Sequence, residues 1–392
     1  MKQCKGYRYR IYPTKAQSEK ISEIFGCTRF VYNYCLDLRK DTYEAESRNV
    51  SQYECMRRIT ELRHMPEYCW LAACDSMALQ ESVKDLNKAY TNFFKKRGGY
   101  PRYHSKRSST QSYRTRNQGN GIRFENGKLR LPVLGLLKIK KSRDFNGRIL
   151  NATVRRTAAG KYFVSLCVEE DIIPADNAGG IIGIDVGIKD FCSDSSGNVT
   201  PNPRTLSKYE KKLKREQRKL SRMIESNITG YRTGPKGGRV PVYAKPVSEC
   251  RNIRKQRRKV ALVHEKVFNI RTDFLHKQSA KLVNENQVIA IEDLNVKGMV
   301  RNHKLAKAVS DISWSRFFSM LEYKAFEHGT EILRVPTFYP SSQLCSVCGY
   351  RNPSVKNLNV REWDCPKCGS HHDRDKNAAI NILNKALQMQ AM

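Results

Sequence analysis

Gly180-Ile181-Ile182-Gly183-Ile184-Asp185-Val186-Gly187 is an apolar run that stops on one carboxylate. Such a run reads as a buried strand that presents Asp185 at a sheet rim, and its flanking glycines let a substrate backbone come close. Downstream, Val288-Ile289-Ala290-Ile291 is followed at once by Glu292. A third acid, Asp375, sits in Asp373-Arg374-Asp375-Lys376-Asn377-Ala378-Ala379, at the start of a helix whose apolar face carries Ala379, Ile380, Leu383 and Leu387. Two strand-end acids and one helix-start acid fit a ribonuclease-H-like arrangement. In that arrangement divalent ions stabilise the attacking and leaving oxygens of a phosphodiester. Taken singly, Asp185 reads equally as a turn residue, Glu292 as a surface acid, and Asp375 or Asp373 as a helix cap. The order of the triple carries the metal reading, and either Asp373 or Asp375 can be the ligand while the other caps.

Between the last two acids lies Cys345-x-x-Cys348, then sixteen residues, then Cys365-x-x-Cys368. This spacing matches a four-thiolate zinc ribbon. Gly349 and Gly369 follow the knuckles where tight turns are needed. Four cysteines leave no position for water, so one structural zinc per chain is expected. His371 and His372 read as surface or nucleic-acid contacts rather than further ligands.

The 392 residues carry 72 Lys and Arg against 38 Asp and Glu, a net charge of +34, with 39% hydrophobic residues. A chain of this length supports two or three domains, and such a charge resists compaction unless an anion neutralises it. No apolar stretch approaches the ~18 residues needed to span a bilayer, and Met1-Lys2-Gln3-Cys4-Lys5 does not resemble a secretory signal. Nucleic acid in the cytoplasm, rather than a membrane, is the expected partner. The cysteine count of 13 is odd, which argues for a reducing compartment.

Residues 5–12 alternate apolar and basic side chains, the pattern of a strand with one cationic face, and Pro13 ends it. Residues 15–97 read as helical. Asn126-Gly127 and Ala158-Ala159-Gly160-Lys161 mark hairpins within a strand-rich stretch at 121–170. These pieces suggest a small β-barrel split by a helical lobe, followed by a Pro/Ala/Asp/Gly linker at 174–179. Two long helices come next. The second carries Ile253, Val260, Val267 and Phe274 seven apart, with Val263 and Ile270 between them, the seam of an antiparallel pair. Their other faces are dense in bases, including Arg215, Arg254, Lys255, Arg257 and Arg258, and few acids answer them. Phosphate contacts are expected there, although a solvated face has the same composition. Residues 227–248 between the helices read as a mobile Gly/Pro/basic loop. Tyr100, Tyr103 and Tyr113 among Arg102, Arg107 and Arg114 suit either base stacking or barrel packing.

The Gly-Ile-Asp185-Val-Gly, Ile-Glu292-Asp-Leu-Asn, Pro340-Ser-Ser-Gln-Leu-Cys-Ser-Val-Cys-Gly and Asp373-Arg-Asp375-Lys-Asn-Ala-Ala segments closely resemble the transposon-associated TnpB family, relatives of the type V CRISPR effectors. Leu79-Gln80-Glu-Ser-Val-Lys-Asp-Leu and Gly99-Tyr-Pro-Arg-Tyr are also similar to family segments. The resemblance implies an α+β multidomain protein. A wedge β-barrel would occupy 1–13 and 106–176, and a helical recognition lobe 14–105. A RuvC-like, ribonuclease-H-like nuclease would occupy 180–342 and 370–392, with the zinc ribbon at 343–369. The resemblance chooses Asp375 beside Asp185 and Glu292 as ligands of two catalytic Mg²⁺ ions. It implies an RNA-guided endonuclease encoded by a transposable element, which cuts double-stranded DNA beside a short adjacent motif and leaves a 3′-hydroxyl and a 5′-phosphate. The expected partners are a guide RNA from the transposon end and a DNA target, with a single chain bound to RNA in the bacterial or archaeal cytoplasm. Gln80 and Asn117 are candidates for reading the motif. A guide-dependent repressor without cleavage is the alternative; relatives of that kind lack at least one of the three acids, and all three are present here.

Overall fold

A computed structural model describes residues 2–108, 110–171, 179–234 and 237–391. The expected linker at 174–179 lies, apart from Gly179, outside the described residues. The chain divides into two compact units, Met1–Ile172 and Ile173–Met392.

In the first unit β1 (Lys2–Tyr12) precedes α1 (Lys15–Glu46), α2 (Gln52–His64), a 3₁₀ turn at Pro66–Leu71 and α3 (Ser76–Phe94). Strands β2 (Gln111–Arg116), β3 (Arg123–Glu125), β4 (Lys128–Leu131), β5 (Gly135–Lys140), β6 (Arg148–Arg156) and β7 (Tyr162–Asp171) follow. Alternation in β1 works as read. Tyr7, Tyr9 and Ile11 enter the core, while Arg8 and Arg10 lie over the ring of Phe163 at 4.1 and 5.0 Å. Pro13 stops the strand, and Thr14 opens α1 through a reciprocal capping box with Gln17. Asn126 and Gly127 both take positive φ, which the two-residue turn between β3 and β4 requires. The ladder order is β2-β6-β7-β1-β5-β4-β3. Among the described residues no ladder joins β2 to β3, so in hydrogen bonding this is an open seven-stranded sheet rather than a closed barrel. α1, α2 and α3 share one core with it, including Ile21, Phe25, Leu36, Leu79 and Leu86.

The second unit begins with β8 (Gly180–Val186), β9 (Asp190–Asp194) and β10 (Val199–Pro201). Next come α4 (Thr205–Glu225), β11 (Ile228–Thr233), β12 (Arg239–Tyr243), α5 (Arg251–Glu285) and β13 (Asn286–Glu292). The chain continues through α6 (Val296–Arg301), α7 (Ala306–Ile312), α8 (Trp314–His328) and β14 (Glu331–Val335). It closes with β15 (Glu362–Asp364), β16 (His371–Asp373) and α9 (Arg374–Ala391). The main sheet runs β10-β9-β8-β13-β14, with β8, β13 and β14 parallel and β9 and β10 antiparallel additions. Period-2 alternation splits its two faces. Ile182, Ile184, Ile289 and Ile291 meet Leu275 of α5 and Phe317 and Leu321 of α8, whereas Ala290 and Val335 meet Ile382 and Ala386 of α9.

Two further expectations change. Residues 227–248 do not form a structureless loop. β11 and β12 pair there as an antiparallel hairpin whose root is tied by Asn227, with the amide Nδ2 donating to the Lys245 carbonyl at 2.7 Å. The α4–α5 seam is also not purely apolar. Ile270 is 38% exposed, while Gln256 is 3% exposed and donates to the Glu216 carbonyl at 3.0 Å and to the Glu216 carboxylate at 2.8 Å. One turn of the seam is therefore a polar clamp, since an amide withdrawn from water needs a partner.

α9 reaches β8 only because position 183 has no side chain. A Cβ there would stand 2.2 Å from the Ala379 carbonyl oxygen and 2.8 Å from the Leu383 Cβ. A backbone oxygen cannot swing aside. Gly183→Ala should therefore destabilise the protein by about 1–3 kcal/mol as α9 is levered off the sheet. Denaturant titration checks this, and an unchanged midpoint would mean that the helix and strand yield freely.

Candidate functional site

The register of the parallel strands places two of the three acids side by side. Ile184 of β8 pairs with Ile291 of β13, so Asp185 and Glu292 follow as neighbours at the two strand ends. Both share the sheet face of Gly183 and Ala290, against which α9 packs. Asp375 lies in the first turn of that helix, one turn before Ala379. The close approach at Gly183 thus carries a third carboxylate to the first two. Asp373 is engaged elsewhere: its Oδ1 accepts from the Lys376 amide at 2.8 Å, capping the helix. Between the two neighbouring acids, geometry favours Asp375.

Asp185 feels both of the other acids. Burial, then the charges of Glu292 and Asp375, push the Asp185 carboxyl well above the usual carboxylate range. Burial also raises Glu292, opposed by the Ser341 hydroxyl, which donates to Glu292 Oε1 at 2.6 Å. A cation lies close to the third acid, with Arg361 Nη1 3.4 Å from Asp375 Oδ2.

The cysteines form a tight cluster. The Sγ atoms of Cys345, Cys348, Cys365 and Cys368 lie within 4.8 Å of one another. Cys345 and Cys368 are 3.6 Å apart at sulfur, as are Cys348 and Cys365. Tetrahedral thiolates about 2.3 Å from a zinc ion would be separated by about 3.8 Å, so the donor set fits that ion. Gly349 and Gly369 both have φ of 72° and close the knuckle turns by donating to the carbonyls of Cys345 and Cys365. Cys345 and Cys365 are buried with Val355 and Trp363 in a small core.

Sequence reasoning missed the residues that join this ribbon to the acids. Asn377 donates to the Leu344 carbonyl at 2.6 Å and accepts from the Ser346 amide at 3.0 Å. Asn381, one turn on, donates to the carbonyls of Ser341 and Leu344 at 2.8 and 2.7 Å. Their only signal in the sequence is a pair of amides four residues apart on an otherwise apolar helix face. His372 is likewise not a surface contact. It is 7% exposed, lies against Trp363, and its Nε2 is 3.1 Å from Cys345 Sγ. His371 is exposed and paired with Asp364.

The candidate nucleic-acid contacts divide. Arg254, Lys255, Arg257 and Arg258 are exposed on α5, and Arg215 on α4 stands 3.5 Å from Glu216. Gln80 and Arg102 are exposed in the first unit. Tyr103 is half exposed, donates to Asp37, and lies under Lys40. Tyr100 packs edge-on to Tyr90 and Phe93. Tyr113 is buried against Phe25, which settles it as packing. Asn117 donates to the carbonyls of Ile122 and Ile149 and accepts from the Ile122 amide. Its amide holds a turn and is not a free group for base reading.

Residues 314–382 match a family profile described as "Cas12f1-like, TNB domain". Residues 165–303 match one described as "Probable transposase", and residues 1–48 one described as "Helix-turn-helix domain". A Streptomyces pristinaespiralis protein named as an RNA-guided DNA endonuclease is 38% identical over 395 residues, covering 100% of this chain and 92% of its own. The chain belongs to the TnpB family. An Escherichia coli K12 relative, also named as an RNA-guided DNA endonuclease (InsQ), is 29% identical over 98% of this chain and 92% of its own. The TnpB-type fold extends to the protein of a Cas12f1–guide RNA–target DNA complex, with a TM-score of 0.59 at 14% identity over 98% of this chain and 99% of that one.

Replacing Cys365 with Ser should remove zinc and lower thermal stability together, because metal binding in such a ribbon is folding free energy. Metal analysis of the wild type should give about one zinc per chain. A normally folded wild type without zinc would overturn this assignment.

Proposed function

We propose that this chain is an RNA-guided, Mg²⁺-dependent endonuclease of double-stranded DNA, encoded by a transposable element. The observation that carries the reading is the convergence of Asp185 and Glu292, on one sheet face, with Asp375 from the first turn of α9 packed against that face. The strand order, an antiparallel β10-β9-β8 run joined to β13 and β14, which lie parallel to β8, supports a RuvC-like, ribonuclease-H-like identity for the sheet. The wedge, recognition lobe, nuclease and ribbon divisions belong to the same proposal.

Asp185, Glu292 and Asp375 would hold two Mg²⁺ ions, which supply a low-pKa water nucleophile and neutralise the leaving oxygen. Glu292 is kept in one orientation by Ser341. Asp373 keeps α9 capped so that Asp375 stays in its first turn. Arg361 stands where a phosphate oxygen beside Asp375 would meet a positive charge. Base pairing with a guide RNA from the transposon end would supply sequence specificity, while the protein reads a short duplex motif and the backbone of the hybrid.

Asp185→Ala should abolish cleavage of a matched duplex in Mg²⁺ while RNA and target binding stay near wild type. Cutting at the wild-type level would remove the nuclease site from this position, and a repressor reading would gain if the wild type binds without cutting. The α5 face supports phosphate binding through Arg254, Lys255, Arg257 and Arg258. Changing all four to Gln should lower the slope of log affinity against log salt by about three, since each neutralised phosphate accounts for roughly 0.7–0.9 of that slope. An unchanged slope with normal thermal stability would mean a solvated face.

A further inference from the structure

The β11–β12 hairpin is a basic feature that reads as a loop in the sequence, and the carboxylate site does not use it. Residues 227–248 contain Arg232, Lys236, Arg239 and Lys245 and no Asp or Glu. The strands pair Tyr231 with Pro241, Arg232 with Val240, and Thr233 with Arg239. Alternation then puts Tyr231, Arg239 and Tyr243 on one face of the ribbon, and Arg232, Val240 and Val242 on the other. Arg239 lies over the Tyr231 ring at 4.5 Å, which holds the guanidinium and the ring as one unit.

Both faces meet solvent. Tyr231 is 54% exposed and Tyr243 36% on one side, Val240 37% and Val242 41% on the other. A two-stranded ribbon in water is marginally stable, and contiguous exposed aromatic and aliphatic side chains on it mark a surface built for a partner. Its charge selects the partner. With four bases and no acid, the hairpin suits a polyanion and disfavours the mixed surface of a protein. Its shape narrows the choice further. The major groove of B-form DNA, about 12 Å wide, admits a two-stranded β-ribbon, whereas the major groove of an A-form RNA or hybrid duplex is too narrow for side chains to enter.

We propose that the β11–β12 hairpin is a DNA-binding arm that enters the major groove of duplex DNA, with Arg232 and Arg239 on the phosphates that line it. The proposal rests on the reading of the chain as a guided DNA nuclease. The expected consequence is selective. Removal of the arm weakens duplex DNA binding and leaves RNA loading alone.

The test uses the full chain with the RNA that co-purifies with it, sequenced so that a matched DNA duplex can be made. Arg232→Gln/Arg239→Gln is compared with wild type. A second variant replaces Thr229–Tyr243 with a Gly-Ser linker and keeps the Asn227 root, so that a fault in hairpin folding is separated from removal of charge. Fluorescence anisotropy on the duplex is read from 50 to 200 mM salt. Two phosphate contacts at about 0.9 each should lower the salt slope by about 1.8, so the fall in affinity over that salt range shrinks about tenfold in the double variant. RNA content should match wild type in both variants. A duplex salt slope equal to wild type in both variants overturns the arm while leaving nuclease activity, and hence the broader reading, intact. An equal drop in bound RNA also overturns it, because the hairpin would then serve the guide. A wild-type complex that neither binds nor cuts the duplex removes both the arm and the nuclease reading.

Discussion

The approach of α9 to β8 at Gly183 is the contact on which the second unit depends. An α-helix can lie against a strand at this distance only where a Cβ is missing, because the Ala379 carbonyl occupies the space that the Cβ would fill. From that point the helix runs in two useful directions. One turn toward its start it delivers Asp375 to the sheet rim where Asp185 and Glu292 end their strands. At Asn377 and Asn381 it grips the main chain of the first zinc knuckle. One spacing therefore sets the carboxylate geometry and the seat of the ribbon together.

This arrangement makes the ribbon more than an appendage on the nuclease fold. Ser341 lies just before the first knuckle and hydrogen-bonds Glu292, and its own carbonyl is held by Asn381. Arg361, inside the ribbon, approaches Asp375. Two of the three acids thus touch side chains that lie in the ribbon or just before it. On the proposed reading, a zinc held by the ribbon would act on chemistry through the orientation of ligands it never contacts, as outer-shell partners do in metal sites generally.

What is legible in the sequence follows from how loudly each residue violates its surroundings. Asp185 and Glu292 stand out because each ends an apolar strand, and the cysteines because their spacing has few other uses. The asparagines of α9 break an apolar face only mildly, and Ser341 not at all, so their roles emerge only when the main chain they satisfy is in place. The heptad in α5 reads as continuous, yet Gln256 takes an inner position because Glu216 of α4 offers it two acceptors. Gly and Pro around Val240-Pro241-Val242 mask the alternation of β12, and a strand this short has no pattern strong enough to overcome them. His372 reads as a surface residue because a neighbouring pair of histidines carries no period; burial against Trp363 is a tertiary fact.

The electrostatics of the chain contain an opposition that explains why the acids are where they are. A net charge of +34 draws phosphate to the protein as a whole. The rim of the β8–β13 sheet is a local exception, where burial, and then the charges of Glu292 and Asp375, push Asp185 well above its usual range. Such a cluster also repels a phosphodiester. On the proposed reading, cations held among the acids would turn this spot from one that repels a phosphate into one that attracts it. Binding and cutting would thereby be separable in physical terms. The basic helices would attract nucleic acid whatever the state of the acids, whereas the rim would accept a scissile phosphate only when its charge has been reversed. On the proposed reading, a protein loaded on nucleic acid by its general charge would be kept from reacting until this acidic rim is filled.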